Sequence, residues 1–196
     1  MTRDTEGRFV SRAGDKLAHA LAVFDVSPAK RVCADLGCST GGFVDCLLKA
    51  GAAKVYAVDR GYGVIDYRLR RDERVVVMER TDALQVRLPE PVHLVTIDAG
   101  WTRQGRILPA ARHLLNDVGE IVTLIKPQYE ADPNDLVSGI VPVERVPAVL
   151  AVVRKSLVRL GFQLLAETES PILGRGGNHE FLWHLKNLHH EELPFR

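Results

Sequence analysis

Seven short runs rich in branched apolar residues are spaced along this chain, at residues 31–36, 54–59, 75–78, 92–98, 120–126, 163–168 and 180–186. Segments with apolar residues at helical spacing fall between them, at 41–50, 65–71, 106–115 and 143–160. In the last of these, Val146, Val149, Leu150, Val153, Leu157 and Leu160 share one side. Pro147 lies in its first turn, where a missing N–H is tolerated. Parallel strands joined by crossover helices produce this alternation. The expected class is therefore α/β, a mostly parallel seven-stranded sheet with helices on both faces. One more helix is expected ahead of the first strand, at 14–24, with Leu17, Ala18, Leu21, Ala22 and Phe24 at helical spacing and Lys16 beside them. The last two strands are separated by a loop containing Gly174, Gly176 and Gly177, too short for a long helix. They are expected to pair as a hairpin that gives the sheet one antiparallel edge member.

At 196 residues, 46% apolar and 26% charged, the chain has the size and make-up of about one folded domain. Its 26 Lys and Arg against 25 Asp and Glu leave a net charge of +1. No overall field draws it to phosphate or to a membrane, so any nucleic-acid site has to be a local patch. The longest uncharged apolar stretches, such as residues 121–125, fall far short of the roughly 18 residues of a membrane span. Arg3, Asp4, Glu6 and Arg8 open the chain with no apolar segment behind them, unlike a secretory signal, and a cytoplasmic location is expected. Cys33, Cys38 and Cys46 lack a CxxC pair and read as buried reduced thiols; Cys38 alone lies in a glycine-rich turn. The seven histidines show no metal-ligand spacing, and no metal is expected. There is no internal repeat, and residues 132–139 read as a surface loop.

The first strand runs into Asp35-Leu36-Gly37-Cys38-Ser39-Thr40-Gly41-Gly42-Phe43, and a helix follows. In open α/β sheets ligands bind at the carboxyl ends of strands where the strand order reverses, usually at the first such turn. The glycines permit close backbone approach, though they also suit a plain tight turn. A dinucleotide fingerprint is broken here, because counting from Gly37 puts Ser39 where the second glycine belongs. Asp35 would repel a pyrophosphate and suits a ligand with a cationic amino acid end, such as S-adenosylmethionine. Asp59, at the end of the second strand, is then placed to accept from ribose hydroxyls, and Asp82, just past the third, from an adenine amino group. With Gly37, Ser39, Thr40, Gly41, Gly42 and Phe43 of the turn, these acids make up the expected cofactor contacts. Each acid taken singly also fits a solvated loop carboxylate.

The fourth and fifth strands end on Asp98 and Lys126, the latter followed by Pro127. Lysine suits a sheet interior poorly, so Lys126 either reaches the cleft or snorkels from a structural position. Glu180 begins the antiparallel strand and therefore lies at the same sheet edge; Lys16 can close the group. At Asp98, at Lys126-Pro127-Gln128, at Gly177-Asn178-His179-Glu180-Phe181 and at Ser11-Arg12-Ala13-Gly14-Asp15-Lys16-Leu17, the chain resembles the FtsJ-like ribose 2′-O-methyltransferases. It is most similar to their TlyA (hemolysin A) branch, which methylates ribosomal RNA. Similar stretches at 35–43, 55–63, 76–81, 124–128 and 170–174 extend the resemblance over most of residues 10–186.

This resemblance implies a Rossmann-like class I methyltransferase dependent on S-adenosyl-L-methionine. It implies Lys16, Asp98, Lys126 and Glu180 as the catalytic tetrad, Asp98 also touching the cofactor, and ribosomal RNA or a ribosomal subunit as partner. The expected organisation is an amino-terminal extension and helix over 1–30, a methyltransferase domain over 31–187 and a tail over 188–196. The S4-type RNA-binding domain usual in the family is not expected, since the chain begins where such a domain would have ended. Two local departures stand out: Asp98-Ala99-Gly100-Trp101-Thr102 where the branch usually reads Asp-Val-Ser-Phe, and Ala13 in place of a glycine.

Methyl transfer from a sulfonium is an in-line displacement, so the protein mainly aligns the nucleophilic oxygen and manages its proton. Lys126 is expected to act as general base or to stabilise alkoxide charge. Burial and Lys16 would lower its pKa, while Asp98 and Glu180 would raise it. For RNA, Arg103, Arg106 and Arg112 follow Trp101, and Arg60, Arg68, Arg70, Arg71, Arg74 and Arg80 form a second group partly offset by Asp66, Asp72, Glu73 and Glu79. Trp101 beside Asp98 suits stacking on a substrate base; solvated helix faces and a core tryptophan are the plainer reading. Two other functions fit the same cofactor motif: a noncatalytic binding or ribosome-assembly module, and a small-molecule O-methyltransferase.

Overall fold

Strands built of Val, Ile and Leu at successive positions suit a sheet covered on both faces, and the apolar runs are used in that way. In the computed structural model, which describes residues 7–188, they form β1 (Val32–Leu36), β2 (Lys54–Val58), β3 (Val75–Met78), β4 (Val92–Ile97), β5 (Leu115–Ile125), β6 (Phe162–Glu169) and β7 (Phe181–Asn187). The helices are α1 (Ala13–Phe24), α2 (Gly42–Lys49), α3 (Tyr67–Arg70), α4 (Gln104–Arg112), α5 (Pro127–Glu130) and α6 (Val146–Arg159). Residues 1–6 of the expected extension and 189–196 of the expected tail, with His189 and His190, lie outside the described residues.

The strand order is β3-β2-β1-β4-β5-β7-β6, parallel throughout except where β7 pairs antiparallel with β5 and with β6. Alternate strand residues feed two apolar layers. On one face Cys33, Val55, Leu94, Val122 and Leu182 pack under α1 and α2, through Leu17, Leu21, Phe43 and Leu47. On the other, Ala34, Tyr56, Val95, Ile121 and Trp183 pack under α4 and α6, through Ile107, Leu108, Val149, Leu150 and Val153. The chain steps from β3 across to β4 on the far side of β1, so the order reverses between β1 and β4. A crevice opens there at their carboxyl ends.

The hairpin is present, but its antiparallel member is not at the edge. β7 is inserted between β5 and β6, and β6 is the edge strand. Polarity accounts for the order. β7 buries Leu182, Trp183, His184 and Leu185 in succession, as an interior strand must, whereas Gln163, Glu167 and Glu169 of β6 are exposed on alternate positions. Other departures are local. α3 is shorter than the 65–71 pattern, because the Asp66 side chain caps it by accepting from Arg68 N–H at 2.8 Å. α4 stops at Arg112, and β5 starts at Leu115 rather than 120, with a register shift in its pairing with β4. Asp59, Asp98 and Lys126 each stand one residue past the end of a strand. The 132–139 loop contains a short 3₁₀ turn, Pro133–Asp135. α1 is closed by Asp25, the residue after its last, which takes a left-handed φ of 54°.

Trp183 is fully buried where β7 meets α6. Trp183→Ala is expected to cost about 3–5 kcal/mol through the cavity it leaves, read as a lower urea midpoint.

Candidate active site

The turn after β1 departs from ordinary backbone at three points: Gly37 (φ 88°), Ser39 (φ 48°) and Gly41 (φ 100°). A Cβ on Gly37 would stand 2.9 Å from the Asp98 carbonyl oxygen, so the ends of β1 and β4 approach too closely for a side chain there. Asp59 braces the turn from β2, accepting from Ser39 N–H at 2.8 Å and Gly61 N–H at 2.7 Å. Gly42 opens α2 against the start of α1, where a Cβ would meet Ser11 Oγ at 2.2 Å. The glycine turn and the helix carrying Lys16 are thereby packed as one unit.

Beside this turn lies a cleft of about 650 Å³ bordered by Ser39, Thr40, Lys16, Asp98, Lys126 and Glu180. The four ionisable side chains sit as two ion pairs. Lys126 Nζ is 2.6 Å from Asp98 Oδ1, and Lys16 Nζ donates to Glu180 Oε2. Their side chains are only 16%, 20%, 11% and 3% exposed in that order, so solvent screens them weakly. Burial disfavours the charge on Lys126. Asp98, with smaller contributions from Glu180 and Tyr129, overrides that penalty and leaves the pKa above the ordinary lysine value. Lys126 is therefore an ammonium at neutral pH. Of the two opposed tendencies, pairing prevails over desolvation.

Glu180 is held from below. A Cβ on Gly174 would fall 2.0 Å from its Oε1, so only glycine leaves the carboxylate its place. Asn178, 4% exposed, fastens the same loop by accepting from Val141 N–H and donating to Gly139 O, both at 3.2 Å. Gly174, Asn178 and Glu180 of this loop thus each have a local cause.

Not every expected residue reaches the cleft. Asp35 is fully buried beneath the turn; Thr96 Oγ1 donates to its Oδ1 at 2.7 Å, while Oδ2 has no partner. Burial, with Asp98 and Asp59 adding and Thr96 opposing, pushes its pKa up to about 8. Phe43 is 1% exposed and belongs to the layer under α2, and Gly41 lies against Leu69. Asp82 does not border the cleft either; it accepts from Leu84 N–H at 3.1 Å and faces Arg60 Nη2 at 3.6 Å. All three cysteines are buried free thiols; burial raises Cys33 and Cys46 to about 12 and Cys38 higher still, so none is a ready nucleophile. Sequence reasoning did not assign Ser11, Arg12 and Tyr129 to the site, although the first two lie within a motif it had singled out and Tyr129 adjoins another.

The basic groups divide. Arg112 turns inward, donates to Leu160 O and covers the Phe162 ring, so it serves packing. Arg68, Arg70 and Arg74 are tied to Asp66, Glu79 and Asp72. On the exposed surface, the Arg60 guanidinium lies 5.1 Å over exposed Trp101, and Arg80 lies 4.1 Å over Tyr62, which is 72% exposed. Trp101 is therefore not a core residue. Among the described residues no three His, Cys, Asp or Glu gather as a metal site, and no helix is long and apolar enough to cross a membrane.

An open turn of positive-φ residues with a braced carboxylate beside it and a cleft in front of it fits a nucleoside ligand. Together with the strand order, these features define a Rossmann-like methyltransferase. The FtsJ-like methyltransferase family matches residues 9–187, and this chain belongs to that family. It is 38% identical over 183 residues to hemolysin A of Brachyspira hyodysenteriae, covering 90% of this chain and 76% of that protein. It is 42% identical over 188 residues to a Mycobacterium tuberculosis protein, 16S/23S rRNA (cytidine-2′-O)-methyltransferase TlyA, covering 92% and 69%. A solved Streptococcus thermophilus structure, described as a "putative hemolysin", superposes with a TM-score of 0.90 at 38% identity, covering 95% of this chain and 70% of that one.

Asp35 ties stability to pH. Its folded pKa of about 8 exceeds the ordinary 3.8, so its contribution is fully present below about pH 4 and is lost as pH rises through 8. The stability gained by Asp35→Asn over wild type should therefore grow between pH 5 and 8, by at most about 1.4 kcal/mol per unit, in chemical denaturation.

Proposed function

We propose that this protein transfers a methyl group from S-adenosyl-L-methionine to a ribose 2′-hydroxyl of ribosomal RNA. The observation that carries the reading is the convergence of Lys16, Asp98, Lys126 and Glu180 in one cleft beside the glycine turn. The names of the M. tuberculosis relative and of the Campylobacter jejuni relative, a 23S rRNA (cytidine-2′-O)-methyltransferase, support it. Such a substrate places the protein in the cytoplasm. In this reading residues 31–187 form the methyltransferase domain, and α1 joins it to complete the site.

S-adenosyl-L-methionine, when bound, supplies a methyl carbon activated by the adjoining sulfonium. The turn from Gly37 to Gly42 would hold its amino acid end, Asp59 its ribose and Asp82 its adenine. Lys126 presents an ammonium to the nucleophilic oxygen and stabilises the negative charge that builds on it. Asp98, paired with Lys126 at 2.6 Å, would receive the hydroxyl proton. Glu180 fixes Lys16 so that the second cation faces the same region. Trp101 with Arg60 and Tyr62 with Arg80 offer flat, cationic surfaces on which unstacked bases can rest.

Incubation with methyl-labelled cofactor and either ribosomal RNA or subunits tests the proposal; label retained only on the cofactor would overturn it. Lys126→Ala should abolish transfer while leaving the cofactor Kd, measured by calorimetry, nearly unchanged. Because Lys126 is charged at rest, the single-turnover rate should vary no more than about threefold between pH 7 and 9. A neutral lysine base would instead give a rise of about tenfold per unit.

A further inference from the structure

Asp98 and Lys126 arrive at their contact from two separate segments, the loop from β4 to α4 and the turn from β5 into α5. A set of hydrogen bonds behind the cleft stitches these segments together. Gln104, the first residue of α4, is 2% exposed. Its Nε2 donates to Leu124 O at 3.3 Å, and its Oε1 accepts from Thr123 Oγ1 at 2.9 Å. Its own N–H donates to Glu130 Oε1 at 2.7 Å. Thr123 and Leu124 immediately precede the turn that carries Lys126, and Glu130 ends α5 just after it. Gln104 thus grips the Lys126 segment on both sides while standing six residues beyond Asp98. The loop it anchors runs close against the lysine, since a Cβ on Gly100 would be 3.3 Å from Lys126 Nζ.

Gln104 does not border the cleft and has no chemistry of its own to offer there. A buried amide with both ends satisfied is directional, however, and resists sliding in a way that an apolar contact does not. We infer that Gln104 and Glu130 form a latch that sets the Asp98–Lys126 spacing, making both of them positioning residues for methyl transfer. The inference rests on the catalytic reading of the tetrad. Loosening the latch lets Asp98 draw back, and the lysine loses the carboxylate that holds its proton. The other groups facing Lys126, namely Glu180 just before β7 and Tyr129 from α5, with Lys16 of α1 beyond Glu180, stay where they are.

The test compares Gln104→Met, Glu130→Ala and Glu130→Gln. The last keeps an acceptor for the Gln104 N–H, and it provides a variant with little risk to folding. The seven lysines are labelled at Cε and Nζ, and the Lys126 resonance, assigned by its loss in Lys126→Arg, is titrated by NMR. Gln104→Met and Glu130→Ala should move the Lys126 midpoint to lower pH and lower the single-turnover rate about tenfold or more, with cofactor Kd unchanged. Glu130→Gln should restore both to wild-type values. A Lys126 midpoint identical to wild type in folded Gln104→Met and Glu130→Ala would overturn the latch. Because the titration needs no substrate, a shifted midpoint in a protein that methylates no ribosomal RNA would keep the latch and reject the substrate instead.

Discussion

Two ammonium groups can share a half-buried cleft only if each is answered by a carboxylate, and this alternation is the constraint around which the molecule is arranged. Lys16 faces Glu180, and Lys126 faces Asp98. Buried pairs of this kind contribute little net stability, because desolvation offsets most of the attraction, while removal of one partner is expensive. The scaffold therefore has to hold all four in place from outside. Glycine at 174 leaves room for Glu180, Gly42 seats α1 on the turn, and Gln104 fastens the two loops that deliver Asp98 and Lys126.

The sheet makes this possible by bringing remote segments to one edge. Parallel β1, β4 and β5 deliver their carboxyl ends to the same side, and β7 delivers its amino end there because it runs the other way. Inserting β7 between β5 and β6 places Glu180 next to the end of β5 rather than one strand farther out. A simple hairpin added at the edge with β6 inside would separate Glu180 from Lys126. The topology and the chemistry are linked through that single strand.

Much of this was legible in the residues. The alternation of apolar runs and helical segments, the turn from Gly37 to Gly42, and ionisable residues at strand ends follow from short-range rules of backbone and side-chain preference. The interior place of β7 was also open to reading, since its run Phe181-Leu182-Trp183-His184-Leu185, interrupted only by a histidine, contrasts with the polar residues spaced along β6. Arg112 was not legible as a packing residue: an arginine in a basic segment looks the same whether it meets solvent or folds back over a Phe162 ring. Asp35 likewise looked like a cleft residue, and only the layer above it shows that its carboxyl is sealed.

The sequence by itself determined the class of fold, the glycine turn after the first strand and the presence of ionisable residues at strand ends, because each depends on neighbours a few positions away. Tertiary structure alone decided that Lys16 meets Glu180 across 164 positions and that Lys126 keeps its proton. Those outcomes are set by distance and by exclusion of water, and neither quantity exists until the chain has closed on itself.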